Sequence, residues 1–216
     1  MKKILLATFA LSMLASSATM AQENQDGYSP VRFYLGTKLG SSFVNLSADC
    51  DHHYDCNVDD DTVFTVNPFV GIDVRYNSLL GSRFEVEGFF HSDAEFKYDV
   101  KAPSFTYYQE KAEYKSNGMF FNSYLDFHTK TLFTPYVGLG LGYVHNDTTL
   151  KAYNYSEKKD NFAFNIAGGT AIELTNNFAF DIGLRYGYYG EILKEQYFEK
   201  IEAQSLDFLA SVRVSF

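Results

Sequence analysis

Leu206-Asp207-Phe208-Leu209-Ala210-Ser211-Val212-Arg213-Val214-Ser215-Phe216 decides how the rest of the chain is read. Positions 206, 208, 210, 212, 214 and 216 are all apolar. Successive side chains of a strand point to opposite faces, so these residues share one side while Asp207, Ser211, Arg213 and Ser215 share the other. A face carrying charges needs water or partners. An apolar face that runs out on a phenylalanine needs lipid or a core.

The opposite end of the sequence indicates export. Lys2 and Lys3 form a basic start, Ile4 to Ala15 is an apolar stretch too short to span a bilayer, and Thr19-Met20-Ala21 offers small residues for cleavage, so residues 1–21 are expected to be a signal peptide. No cysteine follows Leu14 closely enough for a lipoprotein anchor. Without Lys2 and Lys3 the chain has 16 basic against 27 acidic residues, a formal charge of −11, which argues against nucleic acid as a partner. After Ala21 no apolar run approaches the ~20 residues a transmembrane helix requires. The remainder, with 21 phenylalanines, 17 tyrosines and only 4 prolines, is a chain of strands.

Seven further segments alternate as the last one does. They run near 32–44, 63–76, 83–98, 116–127, 133–145, 162–174 and 178–188. In the third, Phe84, Val86, Phe90, Ala94 and Phe96 oppose Arg83, Glu85, Glu87, His91 and Glu95. In the fifth, Val137, Leu139, Leu141 and Tyr143 oppose Tyr136, Gly138, Gly140 and Gly142, leaving room for large neighbours such as Tyr124 or Arg185. The connectors alternate in length: short at 77–82, 128–132 and 175–177, long and polar at 45–62, 99–115, 146–161 and 189–204. Short periplasmic turns and long external loops are the pattern of outer-membrane barrels.

A soluble sandwich would bury an excess of aromatic side chains. In a barrel the apolar faces meet lipid and closure removes the sheet edges that lipid forbids. The expectation is therefore an all-β, eight-stranded antiparallel up-and-down transmembrane barrel over residues 32–216, preceded by a short segment, 22–31. Its lumen would hold an ion network of Lys38, Asp73, Arg75, Glu85, Glu87, Asp126, Glu173, Asp181, Arg185, Asp207 and Arg213, joined by Arg83. Pro68 falls inside the second segment without an N–H for the ladder, so either a bulge lies there or the membrane portion begins after it.

The signal peptide, Thr134-Pro135-Tyr136-Val137-Gly138-Leu139-Gly140-Leu141-Gly142-Tyr143, Asp181-Ile182-Gly183-Leu184-Arg185-Tyr186 and the terminal Phe216 together resemble the opacity-like and OmpA/OmpX-type eight-stranded outer-membrane proteins. The resemblance spans the mature chain. It implies outer-membrane lipid as surroundings and recognition of Phe216 as an assembly signal by the barrel-assembly machinery.

Candidate sites compete with plainer readings. Cys50, His52, His53 and Cys56 lie close enough to bind zinc or copper; export into an oxidising compartment favours a Cys50–Cys56 disulfide instead. The glycines at 138, 140 and 142 are followed by no helix, so they are not a phosphate loop. His91 and His145 have no nucleophile arranged beside them, and no catalysis and no cofactor are expected. The loops carry Phe105-Thr106-Tyr107-Tyr108, Tyr153-Asn154-Tyr155 and Tyr197-Phe198, clusters suited to a host protein or glycan. The functional expectation is display of four loops for adhesion, host-factor binding or envelope integrity. A narrow pore is the alternative, with a lipid A-modifying enzyme or protease behind it.

Overall fold

The wall of the molecule is built from ten strand segments: β1 (Val31–Cys50), β2 (Asp55–Val58), β3 (Asp61–Arg75), β4 (Leu80–His91), β5 (Ala94–Ala102), β6 (Phe105–Phe127), β7 (Phe133–Leu150), β8 (Tyr155–Glu173), β9 (Phe178–Glu195) and β10 (Phe198–Ser215). The computed structural model describes residues 31–50, 55–58, 60–102, 105–129, 131–150, 155–195 and 198–216, with side chains over 31–47, 60–96, 113–129, 131–149, 156–192 and 201–216. The expected signal peptide and nearly all of segment 22–31 lie outside the described residues.

Every pairing is antiparallel, and the order β1-β3-β4-β6-β7-β8-β9-β10 returns to β1. This is a closed barrel of eight staves. β2 and β3 form one stave interrupted at residues 59–60, since Val58 faces Tyr98 in the same register in which Thr65 faces His91. The seam between the last and first strands is continuous from Tyr34–Ser215 to Asp49–Lys200, and the Phe216 N–H donates to the Phe33 carbonyl at 2.8 Å. Backbone groups at membrane depth thus find partners inside the wall, as hydrocarbon requires.

Three features depart from the sequence reading. First, the four long connectors are largely strand: β5 and β6 approach to Ala102–Phe105, β7 and β8 to Leu150–Tyr155, and β9 and β10 to Glu195–Phe198. The polar composition of these stretches suggested loops, but they are upper staves whose outer faces meet water instead of lipid.

Second, the third expected strand breaks. Phe90 faces Asn117, yet Ala94 faces Tyr114, so one extra residue is inserted on the β4–β5 side. A one-residue slip moves every later side chain to the other face. Phe84, Val86 and Phe90 point outward, whereas Ala94 and Phe96 are buried inside. The ladder around the break is patched by side chains: Ser92 Oγ accepts from Phe64 N, and Asp61 Oδ2 accepts from Glu95 N.

Third, Pro68 marks neither a bulge nor the start of the membrane portion. The β3–β4 register is the same on both sides of it, Val66 with Phe90 and Phe69 with Glu87, while the two intervening pairs are lost. Proline removes the donor, and Gly88 opposite leaves room for its ring.

Two ladders also stop early. The β1–β3 pairing ends at Val44–Asp61 although β1 continues to Cys50, and the β8–β9 pairing ends at Phe164–Tyr188 although β8 begins at Tyr155 and β9 continues to Glu195. Among the described residues no ladder pair joins either couple above those points.

Candidate functional site

Charge and apolarity change sides along each stave. On β1 the outward residues run Phe33, Leu39, Phe43 and then Asn45, while the inward ones run Tyr34, Lys38, Ser42 and then Val44 and Leu46. On β10 the outward order is Glu202, Gln204, Leu206, Phe208, and the inward order is Ile201, Ala203, Ser205, Asp207. The lower part is polar inside and apolar outside. The upper part is the reverse, as in a water-soluble protein.

In the lower part Lys38 and Arg185 share the carboxylates. Lys38 Nζ lies 2.6 Å from Glu85 and 2.5 Å from Glu87, and donates to Tyr124 Oη at 2.9 Å. Arg185 donates through Nη1 to Glu87 at 2.5 Å and through Nε to Asp207 at 2.8 Å. With the Asn67 amide oxygen turned toward it, Arg185 Nη2 gains a third acceptor at 3.1 Å. Asp207 also accepts from Ser42 (2.5 Å) and Ser205 (2.7 Å), and Asn122 donates to Glu87 at 2.7 Å. These groups are nearly dry. Charges so placed are tolerable only because each is paired and hydrogen-bonded.

A second cluster lies toward the periplasmic end. Arg83 donates to Asp126 at 2.8 Å and lies 3.5 Å from Asp181, which accepts from Ser211 (2.8 Å) and sits 3.6 Å from Arg213. Its guanidinium is stacked between the Tyr124 and Tyr136 rings, at 4.9 and 4.8 Å. The remaining members of the expected network lie at the mouth. Asp73 pairs with Arg32 at 2.6 Å, and Arg75 lies 3.6 Å from an exposed Glu173 and donates to His128 Nδ1 at 3.2 Å. Arg75 and Glu173 therefore belong to the periplasmic rim rather than to the lumen.

The interior is filled, as usual for so narrow a barrel. A Cβ added at Gly138 would fall 2.3 Å from the Tyr124 ring, and one at Gly142 would fall 2.5 Å from Phe120. These glycines make room for Tyr124 and Phe120; Arg185, the other candidate, is not against them. Between the clusters is a void of about 20 Å³ lined by Lys38, Arg83, Glu85, Asp181 and Arg185. That is room for about one water.

Above Asp207 the interior turns apolar. Val44, Val63, Phe89, Ala94, Phe96, Phe120, Val144, Tyr189, Ile192, Ile201 and Ala203 form one buried cluster. Phe89 stacks on Tyr189 at 5.1 Å and meets Phe120 edge-on at 5.5 Å. Tyr189 joins the two storeys: its hydroxyl shares a 2.8 Å hydrogen bond with Ser205, which donates to Asp207. His91 lies on this floor, its ring 4.3 Å from Phe89 and 5.8 Å from Tyr189, and neither ring nitrogen has a hydrogen-bond partner.

Outside, three successive rungs across β6, β7 and β8 mark the lipid boundary. Met119, Tyr143 and Phe162 give way to Asn117, His145 and Asp160, then to Lys115, Asp147 and Lys158. His145 Nδ1 donates to Asp160 at 2.7 Å, a bond that holds the Asp160 carboxyl below the usual carboxylate range. Lys115 is bonded to Asp93 at 2.7 Å, and that bond raises its ammonium above the ordinary lysine value. On the other side Tyr186 donates to Gln204 (2.7 Å), Gln204 to Asn45 (3.0 Å), and Asn45 to Asp60 (2.5 Å).

Among the described residues, neither His91 nor His145 is hydrogen-bonded to a serine, threonine or cysteine. The side chains of Cys50, His52, His53 and Cys56 lie outside the described residues, as do those of Phe105 to Tyr108, Tyr153 to Tyr155 and Tyr197 to Phe198. The apolar upper interior escaped the sequence reading. Val44, Leu46, Ile201 and Ala203 carry a signal for it, since the apolar phase changes side at 43–44 and again at 205–206.

An eight-stranded wall with a lipid-facing belt, a charged lower lumen and polar upper faces defines an outer-membrane barrel protein. The chain matches the family described as "Outer membrane protein beta-barrel domain" over residues 7–214, and it belongs to that family. It is similar to the outer membrane protein PagN of Salmonella typhimurium, with 26% identity over 179 residues, 74% of this chain and 75% of PagN. Among solved structures, Neisserial surface protein A (NspA) shares the fold with a TM-score of 0.55 at 19% identity, over 85% of this chain and 97% of that one. The protein resides in the outer membrane.

Proposed function

We propose that this protein is a display barrel, in which the lower part anchors and the extracellular extension presents a polar outer face for adhesion to a host protein or glycan. The observation that carries this reading is the separate apolar core of the extension, from Val44 to Ala203, which makes it a stiff projection rather than a set of loose loops. Its outer face, with Asn45, Lys115, His145, Lys158 and Gln204, is hydrogen-bonding and mixed in charge. Insertion through the barrel-assembly machinery, with Phe216 as the signal, and a Cys50–Cys56 bridge near the tip belong to the same proposal. No catalytic step is part of it.

The competing reading, a narrow pore, rests on the polar lumen, and the packing around Tyr124, Arg185 and Phe89 speaks against it. Cells displaying the wild-type chain should bind host cells or immobilised glycosaminoglycan more strongly than cells displaying a chain shortened at 48–57, 99–110, 150–155 and 193–199. Both chains should be silent in planar bilayers. Equal binding by the two folded proteins overturns the display reading, and stepwise conductance revives the pore.

A further inference from the structure

Above the membrane the barrel is not closed. β9 stays paired to β10 and β10 to β1 up to their tips, at Glu195–Phe198 and Cys50–Phe198. On the other side β2, β5, β6, β7 and β8 stay paired to theirs. Between these two groups the ladders end at Val44–Asp61 and Phe164–Tyr188. The extension is thus two leaves, one of three staves and one of five, continuous with a single ring below.

Side chains stand in for the missing ladders. Across the β8–β9 seam Lys159 donates to the Glu191 carboxylate and Asn161 to the Glu191 carbonyl, both at 2.6 Å, and Asn146 donates to the Tyr189 carbonyl at 3.3 Å. At the β1–β3 seam Asn45 donates to Asp60 at 2.5 Å. Such contacts are few, and they are partly open to solvent. A backbone ladder of the same length would resist separation far more strongly. Gly190, with φ of 79°, lies where β9 leaves the paired region, a conformation that lets the strand turn as it crosses the seam.

The leaves meet through rings: Phe89, His91 and Phe120 of the larger against Tyr189 of the smaller. His91 gives an independent pointer. Closure removes both of its ring nitrogens from water and supplies no partner, so the closed contact carries a group that gains hydrogen bonds when the leaves part.

We propose that the extracellular extension is a two-leaved jaw, closed in this structure, that swings open at the two seams and uncovers the aromatic cleft between Phe89, Phe120 and Tyr189. The membrane-level ring, locked by Arg185 and Lys38, is the fixed base. Movement is confined to the part above Asp207.

Thiol labelling in lipid nanodiscs tests this. In a Cys50→Ser/Cys56→Ser background, Ala203→Cys places a reporter inside the smaller leaf and Ala171→Cys one inside the fixed ring; both positions are buried. A membrane-impermeant maleimide should label residue 203 at least about tenfold faster than residue 171, and Lys159→Met should accelerate labelling at 203 alone several-fold. If labelling at 203 is as slow as at 171 and indifferent to Lys159→Met, the jaw does not open. Hydrogen exchange guards against a reporter that misfolds: joining the seam by oxidised Asn161→Cys/Glu191→Cys should slow exchange of amides 189–192 and 201–205 relative to the reduced form. Identical exchange in the two forms also overturns the proposal.

Discussion

The two storeys of this barrel use the same staves and opposite polarity. Below Asp207 the inward residues are Lys38, Glu85, Glu87, Arg185 and Asp207, and the outward ones are Phe, Leu and Val; above it Val44, Phe89, Phe96 and Ile192 face inward and Asn45, Lys115 and Asp160 face outward. The surrounding solvent dictates the difference. Lipid supplies no hydrogen bonds, so the lower wall must keep its charges inside, whereas water drives the apolar groups of the upper wall together. The lower storey is held by pairing and the upper by packing.

This contrast can be broken most severely from below. Arg185→Met removes the cation shared by Glu87 and Asp207 and leaves two buried carboxylates uncompensated, at a cost of about 3–5 kcal/mol. The whole barrel should lose stability, read as a lower urea midpoint in vesicles and loss of heat-modifiable gel mobility. In the upper storey Phe89→Ala removes a ring packed on both Tyr189 and Phe120, at about 3–5 kcal/mol of local stability. Here hydrogen exchange should rise in the extension while heat-modifiable mobility persists. Global loss in Phe89→Ala would show that the storeys are one cooperative unit.

Smaller changes sharpen the comparison. Gly138→Ala forces a methyl group against Tyr124 inside the lower ring, and overpacking of this kind costs about 1–3 kcal/mol. The urea midpoint should fall without altered exchange above Asp207. The outer girdle should respond least. The Asp160 carboxyl is held low by His145, so the contribution of that bond is present above the unfolded carboxylate value of ~3.9 and disappears as pH falls through the lower folded value. Between pH 7 and about pH 4 the bond should leave stability unchanged, and His145→Ala should erase the small loss seen in stronger acid. A measurable destabilisation by His145→Ala at pH 7 would give the girdle a larger share than its exposure suggests.

The lower storey was legible because one period explains it: a uniform alternation places Asp207, Arg213 and Glu85 inside and Phe208 and Val86 outside. The upper storey was not. Its outward polar residues imitate loop composition, and the inserted residue near Ser92 turns Phe96 from the outer face to the inner one without any mark in the local pattern. Pro68 was visible as an irregularity, but its remedy, Gly88 on the neighbouring stave, is a contact between distant positions. The ion pairs of the rim show the same limit, since period two assigns Arg75 and Glu173 to the inner face without telling how near the end of the tube they lie.

The buried cluster from Val44 to Ala203 has a consequence for the history of such a surface. Because the extension draws its stability from residues that face inward, exposed positions such as Asn45, Lys115, Lys158 and Asp160 are largely released from folding constraint, each substitution costing within about half a kcal/mol. The outermost face can therefore drift, change antigenic character and acquire new binding preferences while the scaffold beneath it remains the same.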